Sequence, residues 1–596
     1  MILQALNDYY RRKCDDPDPA QRLPVFGLEQ KEISFILEIN AAGELLQLRD
    51  TREPQGKKKV AQIFRVPIGV KKTSGVAANL LWDTLEYVLG VDTKGKPERV
   101  AEQHAAFRAR IAALPDAARQ DAGIQAVLRF LDCVDVPQLE RQPAWADALE
   151  SNAVMSFRLQ GDMDLVCQRP AVVQAALNAT TDDDAPQAMC LVTGEQAPVE
   201  RLHASIKGVF DKPGAMALKN IVSFNARAFE SYGKTERQGE NAPVSRAAAF
   251  AYTTALNHLL RKDSTQRIQV GDASTVFWAE RQAPYETIFG DIFQDNPDAS
   301  TDKVEALLNA VHSGHWGPMD KDLRYHVLGL APNAARISIR FYHCVTLQAL
   351  GQRIAQHFDD LALVRGPNDA RYPSLKRLLQ TVCLATSSQP FGDIERLPPN
   401  LGGAVVDAIF AGEKAPYPAM WLNAAIARCR AEQAKKTQQG TQAQNVPHAR
   451  AAVIKACLNR QIRNANQLLP AHLAEKEFLP MLDRTNTHPG YLLGRLFAVL
   501  ERLQEEAAGG GGKLNSTIRD KYYGAMSSSP STVFPTLDKL KVAHLKKLPW
   551  VKREWFEKLV GEILADLHDI PRQLPLPDQG RFALGYYHQR QDFFTK

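Results

Sequence analysis

The sequence predicts an α+β fold: a mixed N-terminal region with short antiparallel sheets and helices, followed by a mainly helical region ending in a C-terminal helical bundle. Three observations predict it. Short β-branched or alternating runs bounded by Gly, Pro and Asn fall ahead of residue 345. From Val345 onward apolar residues recur almost wholly at helical spacing, with breaks at Pro373, Pro398 to Gly403 and Pro416 to Pro418. Residues 480 to 570 hold several helical stretches around the tetraglycine Gly509 to Gly512, the pattern of an antiparallel bundle. A chain of 596 residues is too long for one core. Three segments are expected: 1–345 mixed, 346–480 a helical connecting region, and 481–596 the bundle.

Taken in order, Glu32 to Ile39 and Glu44 to Arg49 alternate around Gly43 and predict a hairpin, and Val60 to Val66 a further strand. Between them lies a basic turn, Gly56-Lys57-Lys58-Lys59. A second cationic loop, Val70 to Gly75, precedes an amphipathic helix expected over Ala77 to Leu89. Residues 100 to 180 are Ala-rich with a helical period. Strands are expected at Met189 to Val192, Ala217 to Phe224, Gln266 to Val270, Ser274 to Glu280 and Arg336 to Tyr342. Within the second of these, Ile221 to Phe224 is short and half β-branched and reads as buried; after the loop that follows, Ser245 is a good N-cap for a helix over Arg246 to Leu260. Ala434 to Val446 is polar enough for a surface linker. Helices follow at Ala449 to Leu469, Tyr491 to Ala508, Asn515 to Ala525, Val533 to Lys547 and Glu554 to Leu567, and Pro571 to Pro577 is expected to begin an extended tail.

Composition excludes several classes. Apolar residues at 45% and charged residues at 23% are ordinary for a globular protein. No apolar stretch is long enough to span a bilayer, and the N-terminus lacks the regions of a signal peptide, so no membrane partner and a cytoplasmic location are expected. Eight cysteines show no C-x-x-C spacing, as in reduced thiols, and offer no zinc site. Gly233-Lys234-Thr235 resembles the end of a phosphate-binding loop, but the glycine required five positions earlier is Ala228. Gly512-Lys513 fails the same test. His568-Asp569 and His312 with His315 lack the companion ligands of a metal site, and His357 with Asp359 and Asp360 reads as a helix C-terminus, where His is favoured electrostatically. No catalytic residue, metal or cofactor is therefore assigned, and the expectation is that the chain is not an enzyme.

Nucleic-acid chemistry fits better. Holding phosphate needs Lys, Arg and exposed backbone N–H groups, while reading bases needs amides, hydroxyls and cations at loop tips. Lys71, Lys72, Thr73 and Ser74 form one such tip beside Gly75. Tyr232, Lys234, Arg237, Gln238 and Asn241 form another, where an amide can pair with base edges or wedge a duplex open. Lys57, Lys58 and Lys59 add the basic turn. In the bundle, Lys539, Lys541, Lys546, Lys547, Lys552 and Arg553 interleave with Trp550, Trp555 and Phe556, the composition of a single-strand path, although burial is the commoner fate of tryptophan.

The string Ile221-Val222-Ser223-Phe224-Asn225, then Phe229 to Lys234, Gln238 to Ser245 and Tyr252 to Asn257, resembles the large subunit of type I-C CRISPR Cascade. Supporting strings are Cys190 to Glu195, Gly271-Asp272 before Val276 to Ala279, Pro332 to Arg340 and Ile518 to Gly524. The resemblance implies a non-catalytic subunit of an antiviral ribonucleoprotein. Such a subunit recognises the protospacer-adjacent motif in double-stranded DNA, helps open the duplex, stabilises the R-loop and recruits a helicase-nuclease. It implies as partners CRISPR RNA, target duplex and displaced single strand, the Cascade backbone and guide-processing subunits, and a small subunit resembling the chain's own C-terminal region. Lys476-Glu477 is encodable as a purine-rich ribosome-binding sequence, with Phe478 to Pro480 as spacer, so Met481 is a candidate internal start for that small subunit. The alternatives are a metal-dependent nuclease or hydrolase acting alone, and a helical scaffold without nucleic-acid contact.

Overall fold

The computed structural model describes residues 1–594 except 17, 19–20, 56–57, 71–74, 179–185, 210–218, 225, 235–238, 271–272, 284–285, 287–289, 291–300, 317–319, 334–335, 386–388, 390–391, 432–443, 511–513 and 515. The fold is α+β, and the chain forms two compact units. One comprises Leu3–Ala204 and Val222–Ala255, the other Ser205–Ile221 and Leu256–Lys596.

The first unit contains β1 (Leu28–Glu32), β2 (Phe35–Ile39), β3 (Leu45–Asp50), β4 (Glu53–Gln55), β5 (Lys58–Val60), β6 (Ile63–Pro67), β7 (Trp82–Thr84), β8 (Val154–Leu159), β9 (Gln187–Met189) and β10 (Gln196–Pro198). A four-stranded sheet runs β3-β2-β8-β7, with β2 and β8 parallel and the other pairs antiparallel. The expected hairpin of β2 and β3 turns where Asn40 Oδ1 accepts from the Ala42 and Glu44 amides at 3.0 and 2.9 Å. Gly43 has φ +88°, and a Cβ there would meet the Phe130 nitrogen at 2.7 Å. Phe35, Leu37, Leu81, Phe107, Ile124, Val127 and Phe157 fill the core under this sheet.

Three expectations fail here, the first being the strand at Met189 to Val192, since β9 ends at Met189 and Leu191–Thr193 is a turn. Ala77 to Leu89 is not one helix: Leu81 has φ +63°, Trp82–Thr84 pairs with β8, and only Leu85–Leu89 is helical. Side chains compete with the helix, since Asn79 Oδ1 accepts from the Val70 amide and Asp83 Oδ2 from the Asn79 amide. The Ala-rich helical stretch is also interrupted by β8, whose Met155, Ser156 and Phe157 are buried. A central strand buried on both faces lacks the alternation that announces one.

The second unit contains the antiparallel sheet β11 (Arg267–Val270), β12 (Ala273–Ala279), β13 (Arg324–Asn333) and β14 (Arg336–Thr346) in that order. β13 escaped the sequence reading because His326, Gly329 and Pro332 interrupt its apolar run. The expected strand Ala217 to Phe224 falls partly outside the described residues. Within them, pairing is confined to isolated bridges at Lys219 and Asn220, and Ile221 to Phe224 is half-buried coil. Apolar period identifies a segment fit for a sheet but supplies no neighbour to pair with it.

Helices make up the rest. One core runs from Phe277 through Leu350, Ile354, Trp421, Ile454, Leu493 and Phe497 to Phe582. Within it Arg460 and Asp360, both essentially unexposed, pair at 3.0 Å. Arg460 also donates to the carbonyls of Ala408 and Gly412 at the end of helix Leu401–Ala411, and Lys455 donates to the Asp360 carbonyl at 3.0 Å. These cations complete helix C-termini.

The expected tail is instead the helix Leu576–Asp592, buried along most of its length. Proline is tolerated in a first helical turn because its missing N–H has no intrahelical partner, so Pro577 opens this helix rather than preventing it. It packs against helix Pro489–Ala507 backbone to backbone. A Cβ at Gly494 would lie 2.0 Å from the Phe582 carbonyl oxygen, and one at Gly585 2.1 Å from that of Tyr491.

Candidate nucleic-acid interface

The loop after Phe224 is anchored at its far end by the hairpin of β9 and β10. Leu191 N donates to the Pro243 carbonyl at 2.9 Å and Glu200 N to that of Val244 at 2.8 Å. Ser245 N donates to Cys190 Sγ at 3.2 Å, while Ser245 Oγ accepts from the Ala248 amide, the expected N-cap of helix Arg246–Leu259. Burial raises the Cys190 thiol, but hydrogen bonds from Ser245 and Thr193 outweigh it and bring the group down to about 7. The conspicuous Cys190 to Glu195 string thus supplies a sulfur that ties the loop to its scaffold.

Within the loop, Ser231 and Lys234 form an antiparallel bridge across Tyr232 and Gly233, at φ +58° and +68°. Two central residues of positive φ are the requirement of the tightest hairpin turn, which favours Asn-Gly. A bulky residue at the first position costs on the order of 1–3 kcal/mol. Tyr232 occupies it with its side chain 88% exposed. Strain combined with exposure has no packing purpose and presents an aromatic ring at the loop tip.

Around this tip, Asn241 Nδ2 donates to the Phe229 carbonyl at 2.8 Å and to Ser231 Oγ at 3.1 Å, joining the two arms. Lys234 Nζ donates to the Glu240 carbonyl at 3.3 Å. Arg237 and Gln238 lie outside the described residues.

Lys71, Lys72, Thr73 and Ser74 also lie outside them, but both flanks are clamped. Gly69 N donates to Glu29 Oε1 at 2.8 Å, and the Trp82 indole donates to the Pro67 carbonyl at 2.8 Å. In the basic turn, Lys57 and the side chain of Lys58 fall outside the described residues. Lys59 pairs with Asp147 at 2.9 Å, and Lys59 with Arg52 holds that carboxyl below its usual range.

In the second unit, helices Pro530–Leu545 and Trp550–Ala565 carry the third cluster. Trp550 is 72% exposed and Trp555 50%, with Val551 beside them, so the commoner fate of tryptophan does not apply. The signal was legible: Phe556, Leu559, Val560 and Ile563 form the buried stripe at helical spacing, and positions 550, 551 and 555 fall off it. Lys546 and Lys547 are exposed with no ion pair among the described residues, as is Lys539. Lys541 pairs with Asp538, Lys552 with Glu506 at 2.7 Å, and Arg553 with Glu557 at 3.1 Å. Trp550 and Trp555 thus stand exposed on the helix that carries Lys552 and Arg553, with Trp555 edge-on to Phe556 and Phe593. Met481, 62% exposed, precedes all the helices of the bundle.

The rejected catalytic pairs have structural partners. His357 is buried with Nδ1 2.7 Å from the Tyr417 hydroxyl, and His312 Nδ1 lies 2.6 Å from the Leu308 carbonyl. Among the described residues no group of three or more His, Cys, Asp or Glu is placed to hold a metal ion, and no helix is long and apolar enough to cross a membrane.

Residues 6–594 match the family described as CRISPR-associated protein (Cas_Csd1). No curated protein matches the chain. The match spans nearly the whole chain, which therefore belongs to this family of Cascade-type CRISPR-associated proteins.

Proposed function

We propose that the chain is the large subunit of a type I-C Cascade, a non-catalytic, DNA-contacting member of an RNA-guided antiviral complex. In this reading it recognises the protospacer-adjacent motif in duplex DNA through the 71–74 and 230–245 loops, opens the duplex, stabilises the R-loop and recruits the helicase-nuclease. Guide pairing supplies sequence, so the protein needs only a short motif reader and a path for the displaced strand. The observation that carries the proposal is Tyr232, held exposed in a strained turn on an anchored loop, within a chain matched to the family almost from end to end.

Tyr232→Asn tests it, because asparagine relieves the turn while removing the ring. The variant is expected to fold with equal or slightly greater stability, yet assembled complex should bind motif-bearing duplex several-fold more weakly. Replacing Lys71 and Lys72 by Ala should weaken binding and reduce the salt slope by about 2. Unchanged target selection by both variants would sink the reading. Metal-dependent cleavage by the isolated chain would favour the hydrolase alternative.

The bundle from Met481 is proposed to be made separately as a small subunit as well. It keeps helix Leu576–Asp592 with its glycine-packed partner, but uncovers Gly580, which in the full chain faces Ile426, Ile454 and Leu458. A free fragment would therefore need a partner for that face. Mass spectrometry of purified complex should find a product beginning at Met481, and its absence would count against the internal start.

A further inference from the structure

A cavity of about 200 Å³ opens between β14 and helix Leu401–Ala411, within the second unit and apart from the loops and helices described above. Its construction begins with a bulge. The register of β13 and β14 slips between Gly329 and Leu330, so that Gly329 faces Phe341, Leu330 faces Ile339 and Arg340 is the extra residue. Bulges re-aim side chains. Gly329 makes room for the Phe341 ring, since a Cβ there would lie 2.3 Å from it. Phe341, 7% exposed, becomes an apolar wall.

Across the cavity, Gly403 lets the helix approach β12, its missing Cβ being 3.3 Å from that of Ala273. Arg340, Asn400 and Asp407 are the polar members of the lining. His343 Nε2 lies 2.7 Å from Asp407 Oδ1, which leaves Oδ2 without a partner among the described residues.

We infer that this cavity receives a single unpaired nucleobase. A small apolar recess edged by a guanidinium, an amide and a carboxylate matches a planar ligand carrying donors and acceptors along one edge. An inorganic anion would meet Asp407, a Lys or Arg side chain would meet Arg340, and a hydrocarbon chain would leave both unmatched. A carboxylate accepts from the exocyclic amino groups that guanine and cytosine carry and thymine lacks. The site therefore favours dG or dC over dT. This inference rests on the proposed role in duplex opening, which supplies unpaired bases.

The test uses the full chain and fluorescent single-stranded oligonucleotides, oligo-dT throughout or with one central dG, dC or abasic position. The dG strand is expected to bind about tenfold more tightly than oligo-dT. Ala404→Phe, which fills the cavity from an exposed position, and Asp407→Asn should each abolish that preference while leaving oligo-dT affinity and the thermal midpoint unchanged. The same ratio is expected in RNA, because the cavity meets the base. Equal binding of dG, dC, dT and abasic strands overturns this inference alone, as does a preference that survives Ala404→Phe and Asp407→Asn. Failure of the wild-type chain to bind any single strand overturns the proposed function with it.

Discussion

Helices His448–Asn466 and Trp550–Ala565 belong to the same compact unit and are both rich in cations, yet they use them oppositely. The first buries Arg450, Lys455 and Arg460 against carbonyls and Asp360. The second exposes Trp550 and Trp555, and the turn before it exposes Lys546 and Lys547, which have no ion pair among the described residues. Aromatic residues divide in the same way, for Phe582, Tyr586 and Tyr587 of the last helix are at most 2% exposed. A cation whose donors are consumed by helix ends and a carboxylate is structural, whereas one facing water beside an aromatic ring is available to a polyanion. Counting charges in the sequence does not separate the two.

Four measurements break or sharpen that contrast. Arg460→Met leaves the buried Asp360 carboxylate with Arg463 and the Gln356 amide and should cost about 3–5 kcal/mol in denaturant unfolding. A midpoint within error of the parent would remove the structural half of the comparison. Gly585→Ala forces a methyl against the Tyr491 carbonyl and should cost about 1–3 kcal/mol or more by the same assay. If it is neutral, the two helices are not packed through their backbones.

Trp550→Ala should leave stability within about 0.5 kcal/mol while weakening single-strand binding by about 1–3 kcal/mol, read as anisotropy. A large stability loss would make that tryptophan a core residue after all.

The smallest effect is on pH dependence. Burial lowers His357 and His588 to about 3, so both stay neutral in the folded chain while the unfolded imidazoles protonate near 6.5. Their contribution is full above pH 6.5 and is lost as pH falls toward 3, on the order of 1 kcal/mol each by pH 5.5. Replacing both by Gln should flatten the slope between pH 7 and 5.

Much of the fold was legible locally. The hairpin of β2 and β3, the strands β11, β12 and β14, and the helical character of residues 347 to 565 follow from alternation, helical period and capping residues. β8 and β13 were missed because strands buried among others lose alternation or carry interrupting Gly and Pro. The last helix was missed because three prolines were read as extension when one of them sits in a helix's first turn. At the candidate interface, residue types marked the loops, but the positive φ of Tyr232 depends on a turn closed by pairing across it.

The sequence by itself determined the α+β class, the helical character of the second half up to residue 565, the polar chemistry of the loops and membership of the family, because each is written in near-neighbour spacing or in ordered strings of residues. Tertiary structure alone decided which cations and rings face water, which glycines bring two helices into backbone contact, and that a bulge would set Arg340 beside Asn400 and Asp407. Those outcomes depend on partners tens to hundreds of positions away, and a local pattern carries no information about what will stand opposite it.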